Sequence, residues 1–102
     1  MIVEWSIPAV QDLDDIEDFI ALDNPERAET FVNELIELGD SLSDDMTCRK
    51  GVPAPWANSP NIRELYYKKY TIVYEIAEIE NRVYIHEVYN QAKITLHYGK
   101  RR

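Results

Sequence analysis

The chain has 102 residues, 45% of them apolar, the size and composition of one compact domain. No apolar run approaches the about 18 residues of a membrane-crossing helix, and two distant histidines with the single Cys48 exclude an internal disulfide and a zinc constellation. The net charge of −8 is unevenly spread: residues 1–46 carry fourteen acids against Arg27 alone (−13), and residues 47–102 carry five acids against ten cations (+5).

The first half therefore repels nucleic acid, while the second can meet an anionic partner. Two solvated surfaces of opposite sign are the plainer reading of the same numbers. A lone thiol fits a reducing cytoplasm. Met1–Trp5 enters a strand pattern at once, with no basic segment and apolar run of the kind that begins a signal peptide.

In chain order, Met1–Trp5 reads as a short apolar strand. Ser6 is a helix N-cap candidate with Pro8 in the first turn. Ala9, Val10, Leu13, Ile16, Phe19 and Ile20 then recur at helical spacing, with acids such as Asp12, Asp15 and Asp18 on the other face. Asn24-Pro25 marks a second helix start, and Ala28, Phe31, Val32, Leu35, Ile36 and Leu42 carry its stripe. Ser43–Asn61 holds Gly51, Pro53, Pro55 and Pro60 without a sustained period, and reads as a long ordered loop that Trp56 pins to the core.

Three strands follow, Ile62–Tyr67, Tyr70–Ala77 and Arg82–Tyr89, rich in β-branched and aromatic residues and separated by Lys68-Lys69 and Glu78–Asn81. Residues 90–102 alternate at Ile94, Leu96 and Tyr98 and end in Lys100-Arg101-Arg102. The expected fold is α+β: a strand, a two-helix hairpin packed on a mainly antiparallel sheet, and a C-terminal tail, all in one domain over 1–102. The expected core includes Leu13, Ile16, Ile20, Phe31, Val32 and Leu35 from the helices, with Leu65, Ile72 and Val88 from the sheet.

This order, with Trp5-Ser6, Ala9, Asp12-Leu13, Ile16 and Asn24-Pro25…Ala28, resembles the RelE/ParE superfamily of type II toxin–antitoxin toxins. The most specific piece is Ile62-Arg63-Glu64-Leu65, the Lys68-Lys69 turn, then Tyr70-Thr71-Ile72-Val73-Tyr74, which is similar to the ParE-like branch. The resemblance implies a toxin of a plasmid-stabilisation type. Such a toxin blocks a cellular target such as DNA gyrase by binding, and a cognate antitoxin neutralises it by folding onto the groove between hairpin and sheet.

Ribosome-dependent ribonucleases of the family carry cations where this chain has Ile62, Glu64, Thr71 and Gln91. Their YoeB-like relatives carry a loop glutamate where Pro53-Ala54-Pro55 stands, and a His-Tyr pair where Tyr89-Asn90-Gln91 stands. His97-Tyr98 could replace that pair only if the tail folded back. His86, beside Glu87, reads as a structural histidine. No catalytic residue, metal or cofactor is therefore expected, nor direct nucleic-acid binding or a membrane partner.

The candidate partner-binding residues are Arg63, Tyr66, Lys68, Lys69, Tyr70 and Lys93. For Arg63, a structural pairing with neighbouring acids stands beside the binding role. The second arginine typical of that strand is replaced by Tyr66. An mRNA endonuclease and a non-toxic antitoxin-binding module are the alternative functions.

Overall fold

The computed structural model describes residues 1–91. The chain opens with β1 (Ile2–Trp5), followed by α1 (Ile7–Ala21) and α2 (Pro25–Asp40). The Ser6 hydroxyl caps α1 by accepting the Ala9 N–H at 3.1 Å, and the Asn24 side chain caps α2 by accepting the Arg27 N–H at 3.0 Å. Each cap satisfies a donor that a helix start leaves orphaned, and each is followed by a proline in the first turn. These caps set the two helices as a hairpin with its bend at residues 22–24.

A 3₁₀ turn (Ser41–Ser43) and α3 (Asp45–Cys48) come next, then β2 (Val52–Pro53), β3 (Ile62–Tyr67), β4 (Tyr70–Ala77) and β5 (Arg82–Asn90). The stretch expected to be a loop thus contains a four-residue helix and a two-residue strand. Asp44 caps α3 by accepting the Thr47 N–H, and β2 exists by pairing Val52 with Glu64 and Pro53 with Arg63. Neither element is long enough to show a period in sequence.

The sheet order is β1-β5-β4-β3-β2, with β1 parallel to β5 and all other pairs antiparallel. Strand alternation places Arg63, Leu65, Tyr67, Tyr70, Ile72, Tyr74, Ile76, Val83, Ile85 and Val88 toward the helices. They meet Ala9, Leu13 and Ile16 of α1 and Phe31, Val32 and Leu35 of α2 in one core. Gly39 lies under Trp5, where a Cβ would overlap the indole ring, so a residue that weakens a helix gives β1 its seat.

The expected core and helix stripes need three corrections. Ile20 and Leu65 are only partly buried, packed at the margin of the core. Phe19 is 62% exposed, because α1 turns Leu13 and Ile16 inward and leaves Phe19 over the end of the sheet. Leu42, read as part of the α2 stripe, is buried from the 3₁₀ turn that follows the helix.

Candidate functional site

β1 stops at Trp5, level with Ile85, so the second half of β5 runs on beyond its parallel neighbour. α1 covers this region, and the Asp12 carboxylate accepts the Val88 backbone N–H at 2.9 Å. Between α1 and this half of β5 lies a recess of about 370 Å³, walled by Asp12, Asp15, Phe19 and Glu87. A second recess of about 500 Å³ lies where α2 begins beside the β3–β4 turn, walled by Ile20, Arg27, Phe31, Lys68 and Lys69. Phe19, Tyr70 and Asn90 line both, so the two form one continuous groove along the mouth between hairpin and sheet.

The β3–β4 turn is tied to α2 by a compact network. Lys68 has a left-handed backbone (φ 54°), which L residues adopt rarely. Its ammonium lies 5.4 Å from the Tyr67 ring centre, 5.9 Å from that of Phe31, and 4.0 Å from Glu34. Arg27 forms an ion pair with Glu34 at 2.7 Å and lies 5.2 Å over the Phe31 ring. The Tyr67 hydroxyl also donates to Glu34. Glu34 is consequently held down to about 2, first by the hydrogen bond from Arg27 and then by that from Tyr67.

Charged side chains stand at both ends of the groove. Arg27, Lys68 and Lys69 outnumber Glu34 at one end, and Asp12, Asp15 and Glu87 stand at the other.

Of the residues anticipated from sequence, Lys68, Lys69 and Tyr70 come together in this groove. Arg63 and Tyr66 do not line it. Arg63 lies five residues before Lys68 on β3, roughly 16 Å at strand rise. It donates from its guanidinium to the carbonyls of Gly51 at 2.8 Å and Arg49 at 3.4 Å. Tyr66 is on the opposite face of β3, half-exposed, donating to Glu64. Lys93 and the His97-Tyr98 pair lie outside the described residues.

On that opposite face Glu64 is 3% exposed, an unusual place for a carboxylate. Three neutral donors compensate it: Trp56 Nε1 at 3.1 Å, Tyr66 Oη at 2.8 Å and Tyr89 Oη at 2.9 Å. The Tyr89 hydroxyl is pushed up by burial and by its bond to Glu64, so it stays protonated and donating. Trp56, expected to pin its segment to the core, is tied to this carboxylate on the opposite face of the sheet. The His86 ring sits 2.9 Å from Glu75, at the register shift where β5 gains a residue over β4. Cys48 is buried and its thiol is pushed up by burial, which keeps it from acting as a nucleophile. Among the described residues no group of His, Cys, Asp and Glu is arranged to hold a metal, and no helix is long and apolar enough to cross a membrane.

Sequence reasoning missed Phe19 and Arg27 as groove residues. Arg27 had a visible signal, as the single cation in a stretch of fourteen acids.

The family model for the ParE toxin of the type II toxin–antitoxin system parDE matches residues 3–95. Among solved structures, the chain is similar to one from the chromosomal ParDE toxin–antitoxin system of P. aeruginosa, with a TM-score of 0.70 at 22% identity over 88% of this chain and 95% of that one. It is also similar to one from the RelBE2 toxin–antitoxin complex of Mycobacterium tuberculosis, with a TM-score of 0.61 at 19% identity over 89% of this chain and 91% of that one. No curated protein sequence matches the chain.

Proposed function

Because the chain belongs to the ParE toxin family of type II toxin–antitoxin systems, we propose that it arrests growth by binding a cellular target such as DNA gyrase, in the cytoplasm, and that a cognate antitoxin neutralises it. The observation that carries the binding mode is Glu64. It occupies a position where the family's ribosome-dependent ribonucleases are expected to hold a cation, and it is a buried anion enclosed by Trp56, Tyr66 and Tyr89. Such a group opposes the build-up of phosphoryl charge that mRNA cleavage requires. Ile62 and Thr71 supply no cation either.

In this reading the antitoxin segment lies in the groove between hairpin and sheet and touches Lys68, Lys69 and Tyr70. The groove's apolar centre and charged ends are the features that suit a peptide ordered on binding.

The test is induced expression in a bacterial host, followed by plasmid supercoiling, with and without the protein encoded by the adjacent gene. Growth arrest with loss of negative supercoiling, relieved by the neighbour, is the expected result. Arrest accompanied by ribosome-dependent mRNA cleavage with intact supercoiling would overturn it.

A further inference from the structure

The recess between the start of α2 and the β3–β4 turn joins an aromatic floor to a cationic rim. We infer that it takes a partner peptide through a bulky apolar side chain next to a carboxylate, and that Glu34 limits the affinity by competing for the same cations. The apolar side chain rests among Phe19, Ile20, Phe31 and Tyr70, and the carboxylate meets Lys69 and Lys68. This rests on the groove being the antitoxin-binding surface and adds the chemistry recognised at one point along it.

The floor argues for the apolar side chain. A recess of about 500 Å³ has room for one large side chain and its neighbour. Phe19 is 62% exposed at its edge, although the same helix buries Leu13 and Ile16. An aromatic ring left out of the core on a concave surface gains when a partner covers it.

The rim argues for the carboxylate. Arg27, Lys68 and Lys69 line the recess, and the anion tied to them is Glu34, so this network keeps an excess of positive charge. The three cations are not equivalent. Both terminal nitrogens of Arg27 are engaged by Glu34, at 2.7 and 3.3 Å. The Lys68 ammonium lies 4.0 Å from Glu34 and faces the Phe31 and Tyr67 rings. Among the described residues the Lys69 side chain has no partner, and its contact is the backbone carbonyl that accepts the Gln91 N–H at 2.7 Å. An incoming carboxylate therefore meets Lys69 freely, shares Lys68 with Glu34, and finds Arg27 taken. Glu34, held down to about 2 first by the Arg27 hydrogen bond, keeps its charge and its hold on these cations at neutral pH. Neutralising it releases Arg27 and Lys68 to a partner.

The experiment titrates the full chain with four fluorescent peptides of equal length, differing only in a central pair: Phe-Glu, Phe-Gln, Phe-Lys or Ala-Glu. Anisotropy reads the affinity at low and at physiological salt. For the wild type, Phe-Glu should bind about tenfold tighter than Phe-Gln or Ala-Glu, with Phe-Lys weakest. Lys69→Gln should remove most of the preference for Phe-Glu over Phe-Gln. Glu34→Gln should tighten Phe-Glu severalfold and leave Phe-Gln where it was. Phe19→Ala should weaken Phe-Glu and Phe-Gln alike.

Glu34→Asp, which withdraws the carboxylate by one methylene, is the second variant should Glu34→Gln misfold, and its expected result is a smaller tightening. Equal binding of Phe-Glu and Phe-Gln, or a preference unmoved by Lys69→Gln, would overturn the inference. So would Glu34 variants that bind Phe-Glu no tighter than the wild type, or a wild-type dimer that excludes every peptide. The antitoxin reading fails separately: if the adjacent-gene protein neither binds nor protects, that reading falls while the peptide ranking still decides what the recess recognises.

Discussion

The Arg63 guanidinium donates to the Gly51 carbonyl at 2.8 Å, which ties β3 to the segment that enters β2. The same side chain reaches the Arg49 carbonyl at 3.4 Å. Hydrogen bonds from a charged donor contribute ~1.5–3 kcal/mol. Arg63→Ala should therefore lower unfolding free energy by ~1–3 kcal/mol in urea titration. Arg63→Lys should recover only part of it, because both bonds leave from Nη1, one atom further along the side chain than a lysine ammonium reaches. If Arg63→Ala folds with undiminished stability yet loses antitoxin binding, its main role is contact with a partner. Lost stability with unchanged affinity would assign it to the scaffold.

Gly51 is buried against the Tyr74 hydroxyl, and a Cβ there would overlap it. That hydroxyl cannot retreat easily, because it donates to the Cys48 carbonyl at 2.6 Å. Gly51→Ala should cost ~1–3 kcal/mol through overpacking. Tyr74→Phe removes the obstructing oxygen, so the double variant should be less destabilised than the sum of the singles. Thermal unfolding of all four proteins forms the cycle that measures this coupling. Strict additivity would show that the hydroxyl is not what excludes a side chain at 51.

Glu64 offers the third test. Glu64→Ala removes the acceptor of Trp56, Tyr66 and Tyr89 together. Tyr66 is half-exposed and can turn to water, whereas Trp56 and Tyr89 lose a partner in a more enclosed place. At ~1–3 kcal/mol for each donor that loses this acceptor, the combined loss should be ~2–5 kcal/mol. Glu64→Gln keeps one acceptor oxygen but turns an NH₂ toward donors, so it should fall between. Because Trp5 is bound to Asp40 and remote in sequence from this cluster, a Trp5→Phe background lets fluorescence follow Trp56 alone. An unchanged Trp56 spectrum in Glu64→Ala would mean that the carboxylate does not anchor that segment.

Much of this fold could be read from residue patterns because its main elements are long enough to repeat. Ile62–Tyr67 and Tyr70–Ala77 coincide with β3 and β4, and Ser6 and Asn24-Pro25 mark both helix starts. α3 and β2 escaped because their reason to exist is a cap from Asp44 and a register against Arg63 and Glu64. The groove was half legible. Lys68, Lys69 and Tyr70 are adjacent in sequence, so a turn between aromatic strands identified them. Phe19 has the same spacing as its buried neighbours, and where α1 ends relative to the sheet decides that it stays out. The grouping around Glu64 joins residues 56, 64, 66 and 89, which only the strand pairings bring together.

Glu34 gives the groove's basic end a pH signature. Its carboxyl is held down to about 2 from an ordinary 4.5, chiefly by the hydrogen bond from Arg27, then by that from Tyr67, with the Lys68 charge adding to them. A carboxyl depressed in the folded state takes up its proton more readily when the chain unfolds. Its share of stability is therefore fully present above about pH 4.5 and is lost as pH falls toward 2. Glu34→Gln should remove this dependence. Measured by urea unfolding, the stability gap between wild type and Glu34→Gln should be constant from pH 7 to pH 5 and close between 4.5 and 2. Glu34 and Arg27 are both about a third exposed, so added salt should narrow the gap throughout. Phe31→Ala should narrow it as well, by removing the ring on which Arg27 and Lys68 rest. A gap unchanged down to pH 2 would mean that the carboxylate is not held by these cations, and the charge arrangement assigned to that end of the groove would fall with it.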